Sequence, residues 1–182
     1  MSIDKTCAFT GHRPKSFHFG YDESHPDCKH IKKRLAVEIE AMFRNGVNIF
    51  ISGAAMGVDM WAMEAVLELK KREPSVRLVA AVPFRGQADK WSDDMRRRYR
   101  ELLDQCGKVA CFSEVYHPAC YHERDRLMVD NAAHLIAVYN GSSEGGTAYT
   151  VAYAKEKGRN IIVIEPNQSA CGKLFSLFFK KV

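Results

Sequence analysis

Long hydrophobic runs are missing from this sequence of 182 residues. A membrane-spanning helix needs roughly 18 consecutive apolar residues, and no window approaches that length, so we expect no membrane-embedded part. A strong charge of one sign is missing too, because 27 lysines and arginines oppose 22 acidic residues and leave a formal charge of +5. This mild basic excess suits an anionic ligand but is too small to identify a nucleic-acid-binding protein.

Paired cysteines are also missing. None of the six cysteines has CxxC spacing, and no signal-like apolar stretch precedes the first predicted strand. We therefore predict reduced thiols and a cytoplasmic protein. We predict no metal site and no cofactor, because the metal-capable residues match no standard zinc spacing. These residues form two groups: Cys111, His117, Cys120 and His122, and His25, Cys28 and His30.

Short β-branched or aromatic runs alternate with longer stretches of helical periodicity, which is typical of βαβ units. We predict one α/β domain over residues 1–182, a Rossmann-like, mostly parallel sheet flanked by helices on both faces. Residues 16–27 and the tail after Pro166 are predicted to be irregular. The predicted strands are 5–10, 47–52, 76–82, 108–113, 134–139 and 160–164, and the predicted helices are 29–44, 58–72, 89–106, 124–132 and 147–157.

Three loops that follow predicted strands carry the strongest functional signal. In an open parallel sheet, ligands bind beyond the carboxyl ends of the strands. Glycine lets a backbone N–H group approach a phosphate, and the helix dipole behind it favours negative charge. The alternative is that these glycines serve only tight turns and packing. The loops are TGHRP (10–14), SGAAMGVD (52–59) and GSSEGGT (141–147).

These loops resemble those of known protein families. The segment SGAAMGVDMWA (52–62) resembles the S-G-x-A-x-G-I-D-x-x-A signature of the DNA-processing protein DprA. GGT (145–147) resembles the GGxGT-type loop of the Lonely guy (LOG) phosphoribohydrolases, and both families belong to the SLOG superfamily. TGHRP together with GVDMWAME (57–64) is most similar to the YpsA-like branch of that superfamily, and the resemblance runs over about residues 5–166.

The resemblance implies a SLOG-type fold with a nucleotide-type ligand lying across the glycine loops. In LOG enzymes, an arginine and a glutamate carry the cleavage of an N-glycosidic bond. Arg124 matches that arginine, but Thr150 stands at the glutamate position. Because such cleavage relies on carboxylates, we do not expect the same reaction by the same residues. Turnover stays open, with Arg124, Asp59 and Glu144 as the candidate catalytic residues.

Several candidate residues have a structural alternative. Asp59 either caps the helix dipole or contacts the ligand. Glu64 is either a buried hydrogen-bonding residue or a ligand contact. Arg124 either clamps a phosphate or forms a surface pair with Asp125 or Asp130. The predicted ligand-binding residues are Gly11, His12, Arg13, Ser52, Gly53, Ala54, Gly57, Asp59, Glu64, Pro83, Arg124, Asp130, Gly145, Gly146 and Thr147.

We predict that the protein binds a nucleotide or a nucleotide-derived phosphate ligand, as a sensor or as a nucleotide-processing enzyme. The alternative is a DprA-like module for single-stranded nucleic acid or for protein interaction. We favour the first because aromatic residues placed between basic ones are sparse, and such residues are what stack bases. The basic run RRRYR (96–100) fits a solvated face that pairs with neighbouring acidic residues. Assembly into a homo-oligomer is left open.

Overall fold

Six strands form one sheet in the computed structural model, which describes residues 2–166. The strands are β1 (Thr6–Gly11), β2 (Ile49–Ser52), β3 (Arg77–Val82), β4 (Lys108–Cys111), β5 (His134–Val138) and β6 (Asn160–Ile164). Their order is β4-β3-β2-β1-β5-β6, and every neighbouring pair is parallel. The predicted parallel sheet is confirmed. The tail after Pro166, predicted to be irregular, lies outside the described residues.

Five α-helices connect the strands. Three of them begin earlier than periodicity alone predicts, at Pro26, Cys120 and Gly146. The first begins at Pro26, where a proline costs no hydrogen bond, and the His25 ring accepts a hydrogen bond from the Asp27 N–H. None of the helices among residues 2–166 is both long and apolar enough to cross a membrane. The helices are α1 (Pro26–Arg44), α2 (Val58–Arg72), α3 (Asp93–Asp104), α4 (Cys120–Asp130) and α5 (Gly146–Glu156).

The core has two layers because side chains alternate between the two faces of a strand. On β1, Cys7 and Phe9 pack with α1, α2 and α3, whereas Ala8 packs with α4 and α5. The strands next to β1 are buried on both faces and read as nearly continuous apolar runs, as expected for a covered parallel sheet. Helices therefore flank both faces of the sheet, as predicted.

The strand order reverses at β1, which lies between β2 and β5. The connection from β1 to β2 runs over one face of the sheet, and the helices beside β5 cover the other. A crevice opens at such a switch point, beyond the carboxyl ends of the strands. The three loops singled out from the sequence all meet there.

Candidate functional site

A cavity of about 600 Å³ lies at the carboxyl ends of β1 and β5. Its wall comes from the loops after these two strands, from the start of α2 and from one face of α4. This arrangement brings together residues that are far apart in the sequence. The predicted site residues on the wall are Gly11, His12, Arg13, Asp59, Arg124, Glu144, Gly145, Gly146 and Thr147.

The N-terminus of α5 faces this cavity. The first hydrogen bond of the helix joins the Tyr149 N–H to the Gly145 carbonyl at 3.0 Å, so the preceding N–H groups have no acceptor within the helix. No side chain caps this end. Gly145 has φ 92°, a conformation that favours glycine and that turns the chain into the helix. The free donors and the helix dipole together suit an anion.

Arg124 lies on the cavity wall but is buried, with 6% of its side chain exposed. Its Nε is 2.8 Å from Asp125 Oδ1 and its Nη1 is 3.5 Å from Asp59 Oδ2. Arg124 therefore pairs with Asp125, as the structural alternative predicted, but the pair is buried and does not lie on the surface. Its other partner is Asp59, not Asp130. Neither nitrogen has hydrogen-bond geometry to any acceptor in the described part of the chain. Such buried donors are costly unless something accepts from them.

Gly53 provides the space in which the Arg124 guanidinium lies. A Cβ at position 53 would be 1.3 Å from Arg124 Nη1 and 2.7 Å from Asp59 Oδ2. The Ser52 hydroxyl donates to the Asp59 carbonyl at 3.0 Å and holds the start of α2 beside the end of β2. The loop after β2 thus supports the cavity from behind. The predicted residues in this supporting layer are Ser52, Gly53, Ala54 and Gly57.

Asp59 lies both near the start of α2 and on the wall of the cavity. Its Oδ2 accepts a hydrogen bond from the Ala55 N–H at 3.3 Å near the start of α2, and its side chain also reaches the cavity wall. Burial raises the pKa of Asp59 above its ordinary value, and the nearby Arg124 opposes that rise. With both carboxylates ionised, the group of Asp59, Arg124 and Asp125 carries one net negative charge.

Basic side chains also line the cavity. Arg13 and Lys15 follow β1 and line the cavity. His12 Nε2 is 3.0 Å from Asn140 Oδ1, a contact that joins the loop after β1 to the loop after β5. The cavity therefore combines basic side chains, a buried acidic group and the α5 N-terminus on one wall.

The chain matches the YpsA family model, described as the YspA SLOG family, over residues 7–167. It belongs to this SLOG family. Curated relatives are named UPF0398 protein. The relative from Bacillus thuringiensis (strain Al Hakam) is 30% identical over 157 residues, which cover 85% of this chain and 84% of that protein. The relative from Bacillus anthracis (strain A0248) is 29% identical over the same length. The family predicted from the loop motifs is confirmed.

Solved structures of DNA processing protein A (DprA) share the fold of the SLOG chain. The Streptococcus pneumoniae protein superposes with a TM-score of 0.57 at 18% identity, covering 96% of this chain and 56% of that one. The Helicobacter pylori protein, described in terms of its single-stranded DNA binding mode, superposes with a TM-score of 0.61 at 16% identity. The match covers 97% of this chain and 74% of that one. At these identities the likeness shows a common architecture.

Sequence reasoning missed several residues of the cavity wall in this SLOG chain. The helix was predicted to start at Arg124, whereas α4 begins at Cys120. Tyr121, Arg124 and Asp125 are then three and four residues apart and share one face, which is a signal that the correct start would have supplied. The missed wall residues include Lys15, Tyr121, His122, Asp125, Asn140 and Ser142.

Thr150 occupies the position where LOG enzymes place a glutamate, and a carboxylate lies beside it. The Thr150 hydroxyl oxygen is 3.1 Å from Asp125 Oδ2 and 2.8 Å from the Gly146 carbonyl. Asp125 of α4 therefore places a carboxylate beside Thr150, the α5 position at which LOG enzymes have a glutamate. The other oxygen of Asp125, Oδ1, is already ion-paired with Arg124.

Three predicted site residues lie away from the cavity. Glu64 Oε1 is 2.6 Å from Arg98 Nη2, so it takes part in a half-buried ion pair, the structural alternative considered for it. Asp130 Oδ1 accepts a hydrogen bond from the Tyr153 hydroxyl at 3.0 Å at the end of α4. Pro83 is buried directly after β3. The structure gives none of the three a place on the cavity wall.

The remaining motifs have different outcomes. Arg96 pairs with Asp93 and Arg97 pairs with Asp94, as expected for a self-paired solvated face. Arg98 differs, because it turns inward and its side chain is only 25% exposed. Within residues 2–166, the metal-capable group that comes together is one the sequence did not single out: His18, His25 and Asp27, whose ligand atoms lie within 4.8 Å of one another.

Proposed function

We propose that this SLOG chain binds a nucleotide or a nucleotide-derived phosphate ligand, with a phosphate at the N-terminus of α5. The observation that carries the proposal is Arg124, a guanidinium on the cavity wall whose Nε and Nη1 make no hydrogen bond among the described residues, although both lie near carboxylates. It lines the same cavity as the uncapped helix end at Gly146. A phosphate oxygen would accept hydrogen bonds from both, and charge-assisted bonds of this kind are strong.

The cavity suits a ligand larger than a bare phosphate. Its volume of about 600 Å³ lies within the range of sites for small organic molecules. Carboxylates of Asp125 and Glu144 on its wall are acceptors for sugar hydroxyls, and the Tyr121 ring offers an apolar surface. Turnover would need a carboxylate free of ion pairs. Asp59 and Asp125 are paired with Arg124, which leaves Glu144 as the candidate, whereas phosphate binding needs none of these carboxylates. Binding is therefore the function that the geometry supports best.

A second candidate function is binding of single-stranded DNA. The observation in its favour is the shared architecture with DprA from Helicobacter pylori, described as a single-stranded DNA-binding protein. Two features weigh against it. The exposed arginines Arg96 and Arg97 are paired with acidic residues of the same helix. Asp59, Asp125 and Glu144 add negative charge to the cavity, which would repel a chain of phosphates.

Gly146→Val provides the most selective test of the proposed site. An added Cβ at position 146 meets no atom within 4 Å, so the variant should fold normally while it places methyl groups over the helix N-terminus. We expect AMP at about a hundred times its dissociation constant to stabilise the wild-type protein by about 2.7 kcal/mol. Gly146→Val should lose most of that stabilisation, measured as the shift in melting temperature.

Gly107→Val is the matched control, because position 107 is exposed and an added Cβ there makes only an ordinary 3.6 Å contact with the Leu78 carbonyl. Arg124→Ala is less suitable, since it would leave the buried carboxylate of Asp59 without its ion pair, a loss of about 3–5 kcal/mol in folding stability. Full AMP stabilisation of Gly146→Val would show that the loop is only a packing turn. Tight, salt-sensitive binding of an oligodeoxynucleotide without a response to AMP would favour the second candidate.

A further inference from the structure

A second groove of about 760 Å³ adjoins the phosphate cavity, and Tyr121 lies on the wall of both. The groove runs between the segment after β3 and the segment after β4. Its wall is rich in aromatic rings, whereas the first cavity has mainly polar and glycine residues. The aromatic residues on the groove wall are Phe84, Trp91, Tyr116 and Tyr121.

Three of these rings form one cluster. The Phe84 ring meets Tyr116 edge to face with centroids 5.5 Å apart, and meets Tyr121 in the same way at 6.0 Å. Tyr116 is nonetheless 60% exposed. Aromatic rings held in place by one another and open to solvent form a preorganised stacking surface, because ordering them costs a ligand little conformational entropy.

The charged side chains on the groove wall sum to no net charge, because Arg85 and Lys90 are balanced by Glu114 and Asp89. Arg85 and Glu114 form a bidentate ion pair across the groove, with N–O distances of 2.7 and 2.9 Å. Arg13 also lies beside the cluster and forms no ion pair within residues 2–166. Its Cζ is 5.3 Å from the centroid of the Tyr121 ring, at the junction with the phosphate cavity. The groove thus favours a flat, uncharged group, and the junction favours an anion.

We propose that the aromatic groove binds a second nucleobase of the ligand, so that the ligand is a dinucleotide whose linking phosphate lies near Arg13. This inference rests on the proposed function, since it extends the same ligand beyond the phosphate cavity. The first cavity alone has room for one nucleotide, and the two together exceed what one nucleotide fills.

The test compares AMP with the dinucleotide pApA by isothermal titration calorimetry at one salt concentration. We expect pApA to bind the wild-type protein about tenfold more tightly than AMP, in line with stacking of one base on an aromatic surface. Tyr116→Ala should remove about tenfold of the affinity for pApA and leave that for AMP unchanged. Tyr21→Ala is the matched control, because Tyr21 is similarly exposed at 63% and lies outside both cavities.

The outcomes separate this inference from the proposed function. Equal affinities for AMP and pApA, or an unchanged pApA affinity in Tyr116→Ala, would overturn the second base site while the phosphate site stands. Absence of saturable binding for both probes would overturn both proposals. An oligodeoxynucleotide that binds far more tightly than pApA, with a steep salt dependence, would replace the dinucleotide by a strand.

Discussion

At the scale of single residues, the site depends on one arginine held between two aspartates. Asp59 and Arg124 could be selected from the sequence, because Asp59 lies within the SGAAMGVD motif and Arg124 matches the arginine of the LOG enzymes. Their ion pair could not, since it forms only when Gly53 leaves room for the guanidinium between α2 and α4. Asp125 is adjacent to Arg124 in the sequence, but its role on the cavity wall depends on where α4 begins.

Replacing Asp59 by asparagine should strengthen anion binding. With Asp59 ionised, the group of Asp59, Arg124 and Asp125 would change from one net negative charge to none, while the asparagine oxygen could still accept from the Ala55 N–H. Removing one negative charge near a bound phosphate improves the free energy of binding by about 1–2 kcal/mol at an effective dielectric constant near 20. Titration calorimetry at pH 7 should show AMP binding tightened by roughly fivefold or more.

The melting temperature of the Asp59→Asn protein provides the control for folding, because Arg124 keeps its contact with Asp125. A weaker affinity for AMP in a normally folded variant would contradict this account. It would mean that the Asp59 carboxylate contacts the ligand directly, which is the alternative considered from the sequence.

At the scale of elements, a charged cluster ties the segment before α1 to three helices. Glu23 accepts from Arg98 of α3 at 2.7 Å, from the Trp61 indole of α2 at 2.8 Å and from Lys32 of α1 at 2.5 Å. Glu64 of α2 contacts the same guanidinium. The periodicity of RRRYR correctly predicted a mostly solvated face, but the inward turn of Arg98 depends on a partner 75 residues away.

This cluster should make stability fall in acid. Burial alone would raise the pKa of Glu23, but hydrogen bonds from Arg98, Lys32 and Trp61 outweigh it and lower the pKa from an ordinary 4.5 to about 2. Because the folded pKa is depressed, the stabilisation is complete above pH 4.5 and is lost as the pH falls toward 2. Allowing for the partial exposure of Glu23, we expect about 1–2 kcal/mol.

Urea unfolding at pH 7 and at pH 3 measures this contribution. The wild-type protein should lose more stability between the two pH values than Glu23→Gln does, by more than half of the amount given above, because the rest is lost only below pH 3. Glu101→Gln, on an exposed position of α3, should lose as much as the wild type. An equal loss in wild type and Glu23→Gln would show that Glu23 does not contribute to the acid sensitivity.

Element boundaries show where sequence signals were present and where they were absent. The predicted bounds of α2 and β6 agree with the structure, since glycines mark the approaches to both. The start of α4 was missed because Ala119 at its N-cap position makes no side-chain hydrogen bond. The start of α3 was placed too early, because the hydroxyl of Ser92 caps the helix at the Met95 N–H.

At the scale of the whole molecule, the site follows from topology. A parallel sheet brings every strand-to-helix loop to one edge, so the meeting of the loops after β1, β2 and β5 could be predicted from the sequence alone. The aromatic groove could not be predicted in the same way. Its rings at Phe84, Tyr116 and Tyr121 come from irregular segments and the first turn of α4, and no periodic pattern links them.

The most direct test of the phosphate site is a nuclear magnetic resonance titration of ¹⁵N-labelled protein with AMP. We expect saturable shifts of the backbone amides of Gly146 and Thr147, which would donate to the phosphate, and of the Arg124 Nε–H, which reports on the guanidinium beside it. The exposed Arg126 side chain of the same helix should stay unchanged as an internal control. Shifts confined to residues outside the cavity, or no saturable shifts at all, would contradict the central claim.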